Sequence, residues 1–153
     1  MKRWLLLALL AALLAVAGCG SGVRALELPD RESVFSESSV GELAGVPMAL
    51  AYDRLDMKSG FACWAWQETD GLPRLLVVEL RFPPADCDSL YGLAGEGAEG
   101  LAVAGGEACY DGRALHLRAG QLYARISALG FPSELDALRQ AADALAEAIN
   151  TNQ

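Results

Sequence analysis

The sequence predicts a single α+β domain in which an antiparallel sheet of two hairpins plus an extra strand packs against a C-terminal amphipathic helix and one or two short helices. Three observations lead to this class. Two pairs of strand-like segments flank short runs of turn residues. The last segment is amphipathic at helical spacing. The chain has 153 residues, 53% of them hydrophobic, which suits one ordinary domain and argues against wholesale disorder.

The first expected elements are a short helix and a hairpin. Ser39 to Glu42 has the S-x-x-E form of a capping box, and Gly45 closes the segment soon afterwards. Phe61 to Glu68 and Arg74 to Phe82 are rich in aromatic and β-branched residues, and turn-forming residues separate them. These two segments are therefore predicted to pair as antiparallel strands around a turn at residues 69–73.

The second half repeats the pattern of helix and strands. Asp86 to Ala94 is expected to be a helix capped by Asp86, followed by a glycine-rich connection. An extra strand is expected at either Leu101 to Val103 or Glu107 to Tyr110. Ala114 to Arg118 and Gln121 to Ala128 then flank a short turn and predict the second hairpin.

The C-terminus carries the clearest helix signal. Ser133 stands where an N-cap is expected, and polar residues alternate with an apolar stripe at steps of three and four. The stripe consists of Leu135, Leu138, Ala142, Leu145 and Ile149. A helix with one such stripe is expected to cover the sheet of its own domain.

The charge balance disfavours nucleic-acid partners. The formal net charge is −8, and Lys2 and Arg3 are the only charges in the first 18 residues. Without that segment, ten basic side chains stand against twenty acidic ones, a balance that repels phosphate backbones. The glycine-rich residues 95–100 satisfy the pattern G-x-G-x-x-G, but they follow a predicted helix and lead into a strand, the reverse of a dinucleotide site. We expect neither nucleic acid nor nucleotide as a partner.

The first residues have the layout of an export signal. Lys2 and Arg3 precede an unbroken apolar run of 14 residues from Trp4 to Ala17. This run is about four residues short of the ~18 that a membrane-spanning helix needs. A short positive segment, an apolar segment and small residues are typical of a secretory signal peptide.

The end of this segment, Val16-Ala17-Gly18-Cys19, resembles the lipobox of bacterial lipoproteins. The resemblance implies that residues 1–18 are removed, that a diacylglycerol is attached to the Cys19 sulfur, and that the new amino group receives an acyl chain such as palmitate. Gly20 stands where an aspartate would retain such a protein in the inner membrane, so the implied location is the outer membrane if the cell is Gram-negative. Residues 19–35 are then a lipidated N-terminus and short tether, and residues 36–153 form the domain.

Three further cysteines remain after Cys19, namely Cys63, Cys87 and Cys109. In an oxidising compartment an odd number predicts one disulfide and one free thiol. Three pairings are open, and we favour Cys87 with Cys109 because they flank the glycine-rich connection. His116, the sole histidine, is expected to face solvent on its strand, which leaves the cysteines without a catalytic base. We expect no catalytic residue, no metal site and no cofactor.

The densest local pattern lies in residues 60–66, where aromatic residues occupy both faces of one predicted strand. Alternation places Trp64 and Trp66 on one face and Phe61 and Cys63 on the other. The two tryptophans either belong to the core or present a face to a ligand.

This strand and the segments after it resemble small exported lipoproteins of unknown function found mainly in actinobacteria. The shared features are Gly60 and Cys63 before the tryptophans, Gly106-Glu107-Ala108 followed by Tyr110, and the Arg118-Ala119-Gly120-Gln121 turn. Those proteins carry an earlier cysteine that pairs with the one before Trp. Here none lies between Cys19 and Cys63, so that disulfide does not transfer.

The expected function is that of a membrane-anchored envelope lipoprotein whose domain binds a protein, a peptide or a lipophilic ligand without catalysis. An accessory role in the assembly of an envelope complex shares the same features. An envelope hydrolase is the third alternative, and it would depend on His116 and the body cysteines.

Overall fold

The structure, a computed structural model, describes residues 26–70 and 73–152. In chain order its elements are α1 (Arg31–Val34), α2 (Glu37–Ala44), β1 (Met48–Asp56), β2 (Phe61–Glu68), β3 (Leu75–Arg81), α3 (Cys87–Gly95), β4 (Glu99–Val103), β5 (Gly106–Tyr110), β6 (Leu115–Ala119), β7 (Leu122–Leu129) and α4 (Glu134–Thr151). None of the helices in this part of the chain is both long enough and apolar enough to cross a membrane.

The seven strands form one antiparallel sheet in the order β1-β2-β3-β7-β6-β5-β4. Strands β1 to β3 and strands β4 to β7 each form a meander, and the two meanders join where β3 pairs with β7. The predicted α+β class with a C-terminal helix is confirmed. The sheet is larger than expected, because both candidate extra strands exist, as β4 and β5, and β1 was not predicted.

Strand β1 escaped prediction because its sequence does not alternate cleanly. Its register against β2 shifts between Leu50 and Tyr52, so one residue is inserted into the pattern. Residues 51–55 are exposed, since β1 lies at the edge of the sheet and no helix covers its outer end. Without a continuous buried side, the segment lacks the two-residue period that reveals the other strands.

One face of the sheet forms the core together with α2 and α4. The buried residues of β2 and β3 on this face lie opposite one another in register, and those of β6 and β7 continue the layer. The layer consists of Ala62, Trp64, Trp66, Leu76, Val78, Leu80, Leu115, Leu117, Ala119, Leu122, Ala124 and Ile126. We call this side of the sheet the core face.

Helix α4 closes the core face with the stripe that its sequence predicts. Leu138, Leu145 and Ile149 are at most 2% exposed, and each contributes about 1.5–3 kcal/mol through burial. Small residues, Ala141 and Ala146 among them, share the contact, so the helix backbone approaches the sheet closely. Leu135 is only partly buried, at the first turn.

Capping of the helices agrees with the sequence in part. Asp86 caps α3 as predicted, because its side chain accepts a hydrogen bond from the Ser89 backbone N–H at 3.1 Å. Helix α2 begins earlier than expected, with Ser36 accepting from the Ser39 N–H at 3.1 Å. Ser133 occupies the N-cap position of α4, yet its hydroxyl donates to the carboxylate of Asp136 at 2.6 Å and makes no backbone capping bond.

The folded domain begins before residue 36, the predicted boundary. Phe35 is 1% exposed in the core, and the partly buried Leu26 and Leu28 pack against the same cluster. The region was assigned to a tether because it is short and polar, but one aromatic residue is enough to fix it to the core. Leu26, Leu28 and Phe35, which were assigned to the tether, therefore belong to the fold.

Candidate functional site

The two tryptophans that the sequence singled out lie in the core. Trp66 is fully buried and Trp64 is 5% exposed, and the ring of Phe35 packs on both, with centroids 5.6 and 6.3 Å away. Neither indole reaches a surface where a ligand could bind. The exposed side of strand β2 is the other one, which carries Phe61 and Cys63.

The second face of the sheet is covered over only part of its width. Helix α3 lies across β5, β6 and β7, where it buries His116 and Tyr123. The part formed by β1, β2 and β3 is not covered by any helix of the described chain. We call this part, with the adjoining side chains of β7, the open half-face.

The open half-face is apolar at its centre. Ala65 of β2 lies between Tyr52 of β1 and Val77 of β3 in register, and Ser127 of β7 follows. Tyr52 is 46% exposed, and Leu129, farther along β7, is 56% exposed. Strand surfaces of this kind are flat, so the half-face matches a protein or an extended peptide better than a small enclosed molecule.

Charged groups border the apolar centre. The guanidinium of Arg81 lies 4.4 Å from the centroid of the Phe61 ring, and that of Arg54 lies 5.8 Å from it. Such contacts hold each cation over the ring face. One strand farther, Arg125 donates a hydrogen bond to Glu79 at 2.9 Å. The half-face therefore presents an apolar patch bordered by cations and by an internally neutralised ion pair.

Beneath α3, His116 is buried and not exposed as predicted, because α3 covers its strand. The His116 Nδ1 lies 2.8 Å from the Tyr123 hydroxyl, and Nε2 lies 3.0 Å from the carboxylate of Asp111. The hydrogen bond from His116, with others from the Ala114 and Arg113 backbone, lowers the pKa of Asp111 to about 2. A neutral imidazole satisfies every group, since Nε2–H donates to Asp111 and Nδ1 accepts from Tyr123.

This arrangement limits what the buried cluster can do chemically. Cys109 lies directly across from His116 on the neighbouring strand, so a thiol, an imidazole and a carboxylate are close together. Both imidazole nitrogens are already occupied, however, and neither is left to take the proton of the thiol. Burial also raises the pKa of Cys109. The cluster lacks the activated thiolate that nucleophilic catalysis needs.

The predicted disulfide between Cys87 and Cys109 is absent, because Cys63, Cys87 and Cys109 are all free thiols. Cys87 begins α3, and its thiol donates to the carbonyl of Arg81 at 3.3 Å. Cys109 lies toward the other end of the helix, where a Cβ placed on Gly95 would be 4.0 Å from its sulfur. Eight helical residues rise about 12 Å, whereas a disulfide needs Cα atoms within about 7 Å.

Other chemistry finds little support in residues 26–70 and 73–152. No group of three or more His, Cys, Asp or Glu side chains there is arranged to hold a metal ion. Three cavities, of about 360, 550 and 320 Å³, lie along α1 and α4, along α2, and beside Gly105. Their linings combine glutamates and small or hydroxyl residues with a few aliphatic side chains, Val34, Val46, Pro47 and Met48, and contain no aromatic ring.

The glycine-rich residues 95–100 follow a helix and lead into a strand, the order that argues against a nucleotide site. Gly95 ends α3, Gly97 has a φ of 74°, and Gly100 lies within β4. The segment is thus a helix-to-strand connection.

No family model matches the chain, and neither the curated proteins nor the solved structures contain a match. The predicted export signal, the predicted lipobox and Cys19 lie outside the described residues. The body contributes the open half-face, which the sequence did not single out as a binding surface. The sequence signal for it is Phe61 and Cys63, which alternation places on the strand face opposite the tryptophans.

Proposed function

We propose that this protein is an exported lipoprotein, anchored through Cys19, whose domain binds a protein or peptide partner at the cell envelope without catalysis. The observation that carries the proposal for the body is the open half-face, an uncovered sheet surface with Tyr52 and Val77 at its centre. Exposed apolar patches bordered by polar groups are typical of interaction sites. The anchor is supported by the resemblance of residues 16–19 to a lipobox.

The absence of a catalytic role is also part of the proposal. Both nitrogens of His116 are hydrogen-bonded, to the buried Tyr123 and to the exposed Asp111, so the histidine that a hydrolase would require is already occupied within the domain. An apolar sheet surface needs no such groups to bind a partner. We therefore propose that the open half-face binds the partner and that the hydrogen-bonded cluster beneath α3 stabilises the domain.

The anchor is tested by Cys19→Ser. We expect the wild-type protein in the membrane fraction and labelled by radioactive palmitate. The variant should lose the label and should not be cleaved after Gly18. If Cys19→Ser is still membrane-bound and cleaved at that position, the lipoprotein assignment is wrong.

The binding surface is tested by capture of partners from intact envelopes after cross-linking. Val77→Glu and Tyr52→Glu place a charge on the open half-face, and each should lose a stoichiometric partner that the wild type retains. Leu93→Glu is the matched control, because Leu93 is 66% exposed on α3 and lies off this surface. A partner that all three variants retain would show that binding occurs elsewhere.

A further inference from the structure

The end of the β1–β2 hairpin, residues 54–58, is unusually apolar for a surface turn. Among the described residues, Leu55 and Met57 are two of the five large apolar side chains that are exposed, at 57% and 59%. One residue separates them at the tip of an edge hairpin, where no other element of the described chain packs on them. Adjacent exposed residues of this size mark an interaction site more strongly than scattered ones do.

The same hairpin end is positively charged in an acidic protein. Arg31, Arg74, Arg118 and Arg125 all form ion pairs with carboxylates. Among the described residues, Arg54, Lys58 and the neighbouring Arg81 form no ion pair. Three unpaired cations thus gather at one end of a chain whose formal net charge is −8.

The turn also carries one carboxylate, Asp56, which offsets part of the positive charge of these cations. Asp56 accepts hydrogen bonds from the backbone N–H groups of Lys58 and Ser59, at 3.0 and 3.3 Å. Hydrogen bonds from Ser59, with the nearby charge of Arg54, lower the pKa of Asp56, so its carboxylate stays charged and cancels one of the three cations. The preceding Asp53 is held by Arg31 at 3.2 Å. A net positive charge remains at the tip.

The N-terminal end of the fold lies beside this hairpin. Arg31 opens α1 and bonds Asp53 of β1, close to the tip. Leu26 is already packed against the core, which leaves seven residues, 19–25, between it and the lipidation site. Seven residues span at most about 25 Å. An anchor on Cys19 therefore keeps Leu26, five residues before the Arg31 that contacts the hairpin strand, within about this distance of the bilayer.

We infer that the hairpin end docks on an anionic lipid bilayer, with Leu55 and Met57 entering the interface and Arg54 and Lys58 contacting headgroup phosphates. Apolar side chains next to cations are the usual composition of segments that lie on anionic membranes. The opposite charge of the rest of the body would repel such a surface, so this end alone is suited to face it. The strands then rise from the membrane, and the open half-face stays accessible from the side.

Vesicle binding tests this contact without the lipid anchor. A chain that begins at residue 19 and carries Cys19→Ser contains every residue of the described fold. We expect it to co-sediment with vesicles of phosphatidylcholine and phosphatidylglycerol more than with phosphatidylcholine alone. Each cation near an anionic surface strengthens binding about fivefold. Arg54→Gln with Lys58→Gln should therefore weaken it by an order of magnitude or more.

The apolar contribution is measured separately. Leu55→Ser with Met57→Ser should weaken binding by a similar factor, because half-exposed side chains of this size gain about fivefold each on burial. Leu93→Ser and Arg113→Gln are the matched controls, an exposed apolar residue and an unpaired cation elsewhere on the surface. Both controls should bind vesicles as the wild type does.

Three results would overturn the inference. The first is equal sedimentation with and without phosphatidylglycerol. The second is unchanged binding in both hairpin variants, and the third is an equal loss in the controls. The inference uses the proposed anchor for its geometry, but its test does not. If the Cys19→Ser chain does not bind vesicles but the native chain is lipidated, the docking inference fails and the anchor stands. If the native chain is not lipidated, the anchor fails, and the affinity of the hairpin for vesicles can still be measured with the Cys19→Ser chain.

Discussion

At the scale of single residues, the ionisation of Asp111 makes the stability of the fold depend on pH. His116 and the backbone around residue 113 hold its carboxylate in the charged form, which lowers its pKa from 3.8 to about 2. Because the pKa is lowered by folding, the charged form stabilises the fold above pH ~4, and this contribution disappears as the pH falls through 2.

We therefore expect Asp111→Asn to destabilise the protein at neutral pH and to differ less from wild type as the pH falls from about 5 to 2. Urea denaturation followed by circular dichroism at several pH values measures this. Glu96→Gln, which removes an exposed carboxylate, controls for the loss of one negative charge. A constant difference between Asp111→Asn and wild type over this range would contradict the assignment.

Two glycines with almost the same φ make a matched pair. Gly45 ends α2 at φ 69° with nothing within 4 Å of an added Cβ. Gly60 ends the β1–β2 turn at φ 64°, but there a Cβ would collide with the backbone carbonyl of Phe82. Replacement at the first site meets conformational strain, whereas the second also meets a steric clash.

Gly45→Ala should cost about 1–2 kcal/mol of unfolding free energy. Gly60→Ala should cost more, about 3 kcal/mol or above, because the strand-end backbone must move. Thermal or urea unfolding of both variants gives the comparison. Equal losses of unfolding free energy would mean that the backbone around Gly60 moves at little cost and relieves the clash.

At the scale of elements, two serines occupy the same formal position with different bonds. Ser36 accepts from the Ser39 N–H at the start of α2, while Ser133 at the start of α4 makes no backbone capping bond. Ser36→Ala should thus destabilise the protein by about 1 kcal/mol, and Ser133→Ala by clearly less. Chemical denaturation resolves the difference, and an equal cost for the two would show that the Ser133 to Asp136 bond replaces the cap.

Prediction from sequence succeeded where periodicity or composition is distinctive. Helix α4 and strands β6 and β7 were found because their apolar residues repeat at 3.6 or 2 positions. Strands β2 and β3 were found because both are rich in aromatic and β-branched residues and flank a turn. Strand β1 was missed because it lies at an edge and carries a register shift. Helix α1 was missed because it has four residues and buries none of them.

The candidate site was harder to predict than the fold. His116 was expected to face solvent because its own strand alternates, and nothing local shows that α3 crosses over it. The predicted pairing of Cys87 with Cys109 was wrong for a similar reason. Sequence spacing does not show that Cys87 begins α3 while Cys109 lies near the other end of that helix. Burial by a distant element and through-space distance are tertiary properties.

At the scale of the whole molecule, the cysteines act as reporters of solvent access. Cys63 on the open half-face is partly exposed, whereas Cys87, at the start of α3, and Cys109, on β5, are buried. Burial, with the nearby charge of Glu79, raises the pKa of Cys63, so its reaction is slow for an accessible thiol.

Alkylation of the denatured, unreduced body should modify all three cysteines. In the folded protein Cys63 should react first, and Cys63→Ser should abolish this early phase. Mass spectrometry after timed alkylation distinguishes the sites. One modified thiol after denaturation would show a disulfide and would contradict the structure.

The pairing of β3 with β7 also governs the order in which the sheet can be completed. Strand β3 has one neighbour from its own meander, and its second neighbour is the last strand of the chain, with α3 and three other strands between them in sequence. A chain shortened before Leu122 would leave the backbone N–H and C=O groups along one edge of β3 without hydrogen-bonding partners. Such pairings between distant segments slow folding and leave strand edges available for aggregation. The protein therefore closes its core only after nearly its whole length is present.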